Sequence, residues 1–306
     1  MMGSRLIAYA ILVVAALGLA GSASAEVARM HGEFAAPNRE ASYLDRMAVR
    51  RIDGRDGAQL ALALERAIGN TGYFTIVSAR EGEADGFVSG AVTTGVEQNP
   101  FTREETKCAE KINGKCTKEE KQKIDCFRRV VTLTASLRIV RRADGAMVYT
   151  GGDPQRDEIS WCKGDTPSHT VESAVTAMIG KAAGGLAAAI SPSSRDYQIR
   201  FRESRSGMPK DISNRFKDVV KLSQRDLPAA CAAWQQIDGA LPNHPSVVFD
   251  LGLCAEAQGK YDEAGTLYRR AAQLIGGRDN EGNEGMNRIA QLVAGREDAR
   301  RRAGRR

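Results

Sequence analysis

Histidine, aromatic residues and long apolar runs are all scarce in this chain of 306 residues. It has three His and 6 % aromatic residues, and no C-x-x-C pair. Beyond the first 25 positions, the sequence predicts no run of about 20 apolar residues that could cross a membrane. The sequence also lacks a dinucleotide-binding glycine fingerprint and a phosphate-binding loop. These absences predict a protein that is not an enzyme and that needs neither a metal nor a cofactor.

One local cluster carries residue types used in catalysis. His169 lies beside Ser168, with Cys162 and Asp165 a few positions upstream. Because a helix is predicted to begin here, these polar residues are interpreted as turn and cap residues. No catalytic residue is therefore assigned.

Residues 1–25 have the three parts of a secretory signal peptide. Arg5 precedes an uncharged apolar run at residues 6–20, and Ala23-Ser24-Ala25 follows as a cleavage site. The sequence predicts cleavage after Ala25 and a periplasmic or secreted mature chain. An uncleaved membrane anchor is the alternative.

The formal charge of +6 is concentrated at the C-terminus. Residues 295–306 form a predicted basic tail with six Arg and two acidic residues, and the body of the mature chain is nearly neutral. Such a distribution does not indicate a specific nucleic-acid groove. The tail is interpreted either as a solvated end or as a contact for anionic lipid, polymer or an acidic partner.

Residues 26–192 are predicted to form an α+β domain, with an antiparallel or mixed sheet and flanking helices. A helix is expected at residues 56–70, and alternating residues make 130–140 the clearest strand. The turn "RADG" predicts a hairpin, and a long helix is expected at 168–190, with small residues on the face that lies on the sheet. Residues 97–129 are predicted to be a charged, Cys-containing insertion, and residues 193–210 are predicted to be a linker.

The order of these elements resembles small bacterial envelope domains, namely the CsgG-like curli-assembly transporters and the N-terminal domain of TolB-like proteins. The matching stretches are "GNTGYFTIVSA", "EADGFVSGAVT" and "TASLRIVRRADGAMVYT", and the resemblance covers about residues 46–190. The lipid-anchor Cys of curli transporters is missing here, and the charged insertion cannot face lipid. A pore is therefore not expected.

Residues 211–294 show a 34-residue period, which is typical of paired-helix repeats. Small and aromatic residues recur at this spacing in the pairs Ala230 and Ala264, Trp234 and Tyr268, and Ile237 and Ala271. The second copy resembles a tetratricopeptide repeat through Leu251-Gly252, Ala255, Gly259, Tyr261, Ala264, Tyr268 and Ala271. A degenerate first helix is expected at about 212–224 and a capping helix at about 283–294.

The tetratricopeptide resemblance implies a concave groove that binds a peptide. It places these residues on that groove: Ile212, Arg215, Val219, Ser246, Phe249, Leu253 and Glu256. It also implies that Cys231 and Cys254 lie on neighbouring helices, where they could form a disulfide. The alternatives are a repeat array that serves only packing, and two buried free thiols.

Six Cys in a secreted chain predict disulfides rather than a zinc site. Cys108, Cys116, Cys126 and Cys162 lie in the first domain, and their connectivity stays open. The function expected from these features is a secreted, non-enzymatic adaptor of the bacterial cell envelope that binds a protein partner through the repeats. The alternative is a structural subunit of an envelope secretion or assembly complex, in which both domains pack into a homo-oligomer.

Overall fold

The computed structural model describes residues 26–79 and 83–304. The predicted signal peptide lies outside the described residues. The elements in chain order are β1 (Val27–Phe34), α1 (Arg39–Ser42), β2 (Arg46–Asp53), α2 (Gly57–Gly69), β3 (Thr75–Ile76), β4 (Gly86–Ile112), β5 (Lys115–Arg141), β6 (Met147–Gly151), β7 (Gln155–Cys162), α3 (Val171–Ile190), β8 (Ser193–Arg200), α4 (Lys210–Ser223), α5 (Leu227–Ala240), α6 (Pro245–Ala257), α7 (Tyr261–Ile275) and α8 (Glu281–Ala303). A mixed sheet occupies the N-terminal half and helices occupy the C-terminal half, as the sequence predicts at this coarse level.

The N-terminal sheet has the strand order β3-β2-β4-β5-β6, and β7 pairs with a different part of β5. The β2 strand runs parallel to β3 and β4, whereas β5 is antiparallel to both of its neighbours, β4 and β6. Alternate residues of β5 are buried, from Val131 to Ile139, and form a core with α2 and α3. The intervening residues of β5 are exposed, so helices cover one face of the sheet only.

Helix α3 is long and apolar enough to cross a membrane by length and composition, with a mean hydropathy of 1.4. This finding differs from the sequence-based prediction, in which no segment after residue 25 was apolar and long enough to span a membrane. A core helix passes the same test, and Ala174, Met178 and Ala183 of α3 are buried in the first core. The small residues Gly180 and Gly184, expected against the sheet, instead have open space around them.

The segment expected to be a linker, residues 193–210, includes the strand β8. It pairs antiparallel with β1 along all eight residues, from Val27 opposite Arg200 to Phe34 opposite Ser193. Ala28, Met30 and Phe34 of β1 join the core of the helical half rather than the sheet core. The second folding unit therefore combines the first described strand with the C-terminal helices, and the expected boundary near residue 192 needs this correction.

The segment expected to be a basic tail, residues 295–306, continues α8 as far as Ala303. Gly295 lies where α8 crosses β1, and a Cβ there would lie 2.1 Å from the carbonyl oxygen of Glu33. Asp298 is 1 % exposed and pairs with Arg39 of α1 at 2.6 Å. The last described turns of α8 thus pack between the two halves of the molecule and are not a free end.

Candidate functional site

The charged insertion is a long two-stranded hairpin instead of a loop. Beyond the sheet, β4 and β5 pair only with each other until their ends at Ile112 and Lys115. The turn residues Asn113 and Gly114 both have positive φ, of 51° and 80°, as a two-residue type I′ turn requires. We define residues 97–125 as the arm; none of them is buried.

The arm projects far from the body. Eleven residues of β4, 102–112, extend past the part of the sheet where β5 pairs with β7, and at about 3.3 Å each they give a length of roughly 35 Å. Its surface carries alternating charges, with exposed ion pairs such as Lys118–Glu120 and Lys121–Glu104. Charged side chains of this kind protect a free strand edge from pairing with other chains. The turn signal at Asn113-Gly114 was present in the sequence, but the high charge of its surroundings obscured it.

Disulfides fix the arm at both ends. Cys108 and Cys116 are bonded near the tip, and Cys126 and Cys162 are bonded at the base, where β5 pairs with β7. A third bond joins Cys231 of α5 to Cys254 of α6, the pair that the repeat resemblance implies. The described part of the chain has no free Cys. Three disulfides indicate an oxidising compartment, extracellular or periplasmic.

The predicted peptide groove is closed by the chain itself. Six of its seven residues are at most 8 % exposed, and Arg215 is the exception. Residues 197–204 run along α6 in the opposite direction. The Tyr197 hydroxyl donates to Glu256, the Arg202 N–H donates to Asp250, and the Ser246 hydroxyl donates to the Ser204 carbonyl. The assignment of these residues to an open binding face is wrong in this structure, because the expected linker fills that face.

Glu256 serves as a structural anchor instead of a partner contact. It is 3 % exposed and accepts two hydrogen bonds from Arg288, at 2.7 and 2.8 Å. The hydroxyls of Tyr197 and Tyr268 also donate to it. Four helix or strand elements therefore meet at one satisfied carboxylate. Burial, followed by the nearby Glu256 charge, raises the pKa of Tyr268 well above its usual range.

The structure contains two surface Ser–His–Asp arrangements. His169 lies 3.2 Å from the Ser168 hydroxyl and 2.8 Å from Asp157. His31 makes the same contacts with Ser194 and Asp196, at 2.9 and 2.8 Å. Asp196 is almost fully exposed, and Ser168 is adjacent in sequence to His169. These contacts alone do not make a catalytic triad, which also needs a substrate cleft and oxyanion donors beside the serine. The absence of enzymatic activity therefore stays a prediction.

Within residues 26–79 and 83–304, no group of three or more His, Cys, Asp or Glu is arranged to hold a metal ion.

No protein-family model and no curated protein matches this sequence. Among solved structures, a PelC dodecamer from Paraburkholderia phytofirmans is 17 % identical; the match covers 52 % of this chain and 94 % of that chain, with a TM-score of 0.25. A protein from Caulobacter crescentus described as a lipoprotein is 14 % identical, covering 48 % and 83 %, with a TM-score of 0.22. A PDZ domain protein from Parabacteroides distasonis is 10 % identical, covering 66 % and 55 %, with a TM-score of 0.23. These scores are too low to support an argument about fold or function.

Proposed function

We propose that this chain is a non-enzymatic interaction protein of the bacterial cell envelope, and that the arm docks onto a protein partner. It reaches the envelope through a signal peptide cleaved after Ala25, and its disulfides suit that compartment. The observation that carries the proposal is the arm itself, a hairpin without buried residues that projects roughly 35 Å from the body.

The energetics of the arm support a docking role. An isolated two-stranded hairpin is only marginally stable in water, because it has no third strand and no packed face. The Cys108–Cys116 bond holds the tip together, but no other element of the described chain pairs with the arm between Glu97 and Asp125. A partner that packs on one face of the arm and complements its charges would supply the missing contacts.

We further propose that α4 to α7 are two tetratricopeptide-like repeats and that α8 caps them. Residues one period apart have equal environments: Ala230 and Ala264 are both fully buried, and so are Trp234 and Tyr268. Since residues 197–204 occupy the inner face, this module serves packing, and partner binding passes to the arm.

A structural subunit of an envelope assembly complex is the second candidate. Residues 97–129 carry nine Lys or Arg and seven Asp or Glu, so two arms could pair with complementary charges. In that case the partner is a second copy of this chain.

Photo-crosslinking tests the arm directly. A photo-crosslinking amino acid replaces Ile112 at the tip in one variant and Met147 of β6 in the control. These apolar side chains are similarly exposed, at 61 % and 58 %. Irradiation in the envelope is expected to produce a discrete crosslinked species from position 112 and none from position 147. Equal crosslinking from both positions, or none from position 112, would contradict the proposal.

Mass in solution separates the two candidates. A shortened arm is made by replacing residues 104–123 with Asn-Gly, which joins the opposed residues Arg103 and Ile124 and keeps Cys126–Cys162. If the full-length chain is an oligomer and the chain with the shortened arm is a monomer, the protein is a structural subunit. A monomer in both forms identifies an adaptor for a different protein.

A further inference from the structure

The junction between the two halves contains a cavity of about 360 Å³. Its walls include Arg141 and Arg142 from the end of β5 and the turn after it, and Arg301 and Arg302 from the last described turns of α8. Tyr43 and Tyr73 contribute aromatic side chains. A volume above 300 Å³ is within the range of small-molecule sites.

Four Arg and three carboxylates line the cavity, so its lining carries a net charge of +1. Arg141 is paired with Asp144 and Glu40, and Arg302 with Glu33. In the described residues, Arg142 and Arg301 form no ion pair with a carboxylate; the Arg301 guanidinium lies over the Tyr43 ring at 3.9 Å. Two guanidinium groups are therefore available to a ligand.

The charge of Arg302 is only partly satisfied within the protein. Its Nη1 atom is buried and has no hydrogen-bond partner among the described residues, although Nη2 donates to Glu33 at 3.0 Å. A buried donor without a partner is uncommon in folded proteins and calls for an explanation. Because arginine cannot lose its proton in proteins, this donor stays cationic at any physiological pH.

The acidic residues around the cavity do not reverse its preference. The Glu40 carboxylate accepts from Arg141, and one oxygen of Asp85 accepts the backbone N–H groups of Asp45 and Arg46. Asp45 and Tyr73 remain on the walls as polar groups that suit ligand hydroxyls. Guanidinium groups match the geometry of carboxylate and phosphate.

We propose that the junction cavity binds a small acidic sugar, such as a sugar phosphate or a uronic acid. The guanidinium groups of Arg142 and Arg301 hold its anionic group, Arg302 adds positive charge at the wall, and the wall hydroxyl and carboxylate groups contact its hydroxyl groups. The ligand would bridge the two halves of the molecule. This site is separate from the arm, so it does not depend on the docking function.

Calorimetric titration of the full mature chain at low salt tests the site. The probes are glucose 6-phosphate and glucuronate, with glucose and inorganic phosphate for comparison. At least one acidic sugar is expected to bind, and glucose is not. Arg142→Gln and Arg301→Gln are each expected to weaken binding about tenfold or more, the usual effect of losing a charge-assisted hydrogen bond.

Arg300→Gln is the matched control. Arg300 lies on the same turn of α8 but lines a different depression beside Lys260, so its loss should leave the affinity unchanged. Unliganded variants with the same melting temperature as the parent exclude misfolding as the cause. A shortened arm should leave sugar binding intact, which separates this proposal from the docking function.

Four results would overturn the proposal. They are no binding of either acidic sugar, equal affinity in the Arg142→Gln and Arg301→Gln variants, inorganic phosphate binding as tightly as glucose 6-phosphate, and binding to anionic lipid vesicles without binding to the free sugars. The last result would assign the arginines to a membrane surface.

Discussion

Two buried carboxylates on α6 differ in how completely they are satisfied. Glu256 accepts four hydrogen bonds, two of them from the Arg288 guanidinium. Asp250 is fully buried, yet it accepts only the Arg202 N–H at 2.9 Å through one oxygen, and the other oxygen has no partner in the described residues. Burial raises the pKa of Asp250 well above its usual range, and the Arg202 hydrogen bond opposes this rise only in part.

The raised pKa predicts that Asp250 reduces stability at neutral pH. Below the unfolded-state pKa of about 3.9 both states are protonated, and stability then falls as the pH rises towards the folded-state pKa. Asp250→Asn keeps the acceptor for Arg202 and removes the ionisation. We expect the variant to gain thermal stability over the parent at pH 7 and to gain least near pH 3, as measured by melting curves across this range.

Asp262→Asn, on an exposed first turn of α7, provides the control, and its effect should be small at both pH values. A loss of stability in Asp250→Asn at pH 7 would show instead that the ionised carboxylate is stabilising there.

At the scale of elements, the Cys231–Cys254 bond joins the second helix of the first repeat-like pair to the first helix of the next. The Cα atoms are 5.8 Å apart, and the bond closes a loop with a sequence separation of 23. In the chain-entropy account, such a loop contributes about 3 kcal/mol by restricting the unfolded chain. A short helical array gains from this restriction, since it has few neighbouring repeats to stack on.

Replacing both residues, Cys231→Ala with Cys254→Ala, is expected to destabilise the helical half by about 3 kcal/mol, measured by denaturant unfolding. The matched pair Cys108→Ala with Cys116→Ala removes the bond at the exposed tip and should leave the unfolding of the body unchanged. Alkylation before reduction, followed by peptide mapping, checks the bond itself. Modification of both Cys231 and Cys254 in the denatured parent protein would contradict it.

Elements with their own periodicity could be predicted from the sequence. The alternation from Val131 to Ile139 gave the central strand, and the repeated Ala and aromatic positions gave the helices α5 and α7. The arm was missed because its residues alternate between charged and polar types, so no buried face revealed the strands. Its only local signal was Asn113-Gly114.

The closure of the groove could not be predicted, because it depends on contacts between distant parts of the chain. Tyr197 was expected in a linker, and nothing in its sequence neighbourhood indicates Glu256 or the strand β1 as partners. Residues such as Phe249 and Leu253 look the same in sequence whether they line an open groove or a filled one. Apolar patterning identifies a face that avoids water, but it does not identify what covers that face.

At the scale of the whole molecule, two apolar cores meet through α8 and the short helix α1. Asp298 is the central polar contact: Arg39 donates to it at 2.6 and 3.0 Å, and the Tyr43 hydroxyl donates at 2.8 Å. Burial alone would raise the pKa of Asp298, but the hydrogen bonds from Arg39 and Tyr43 outweigh it and lower the pKa. The two halves are therefore coupled by a carboxylate that must be ionised.

The folded-state pKa of Asp298 is lowered, so its contribution to folding stability is complete above the unfolded-state pKa of about 3.9. This contribution is lost as the pH falls through the folded-state pKa. Asp298→Asn should cost about 1.5–3 kcal/mol at pH 7, the range for hydrogen bonds to a charged group, and much less below about pH 3. Since the junction couples the cores, calorimetry of the variant at pH 7 should resolve two transitions that lie closer together in the parent. Glu297→Gln is the control, because this neighbouring carboxylate is exposed and lies 3.5 Å from Arg39. An unchanged calorimetric trace for Asp298→Asn would mean that other contacts between the halves, such as those of Arg301 with Tyr43 and of Arg302 with Tyr73, hold them together without this ion pair.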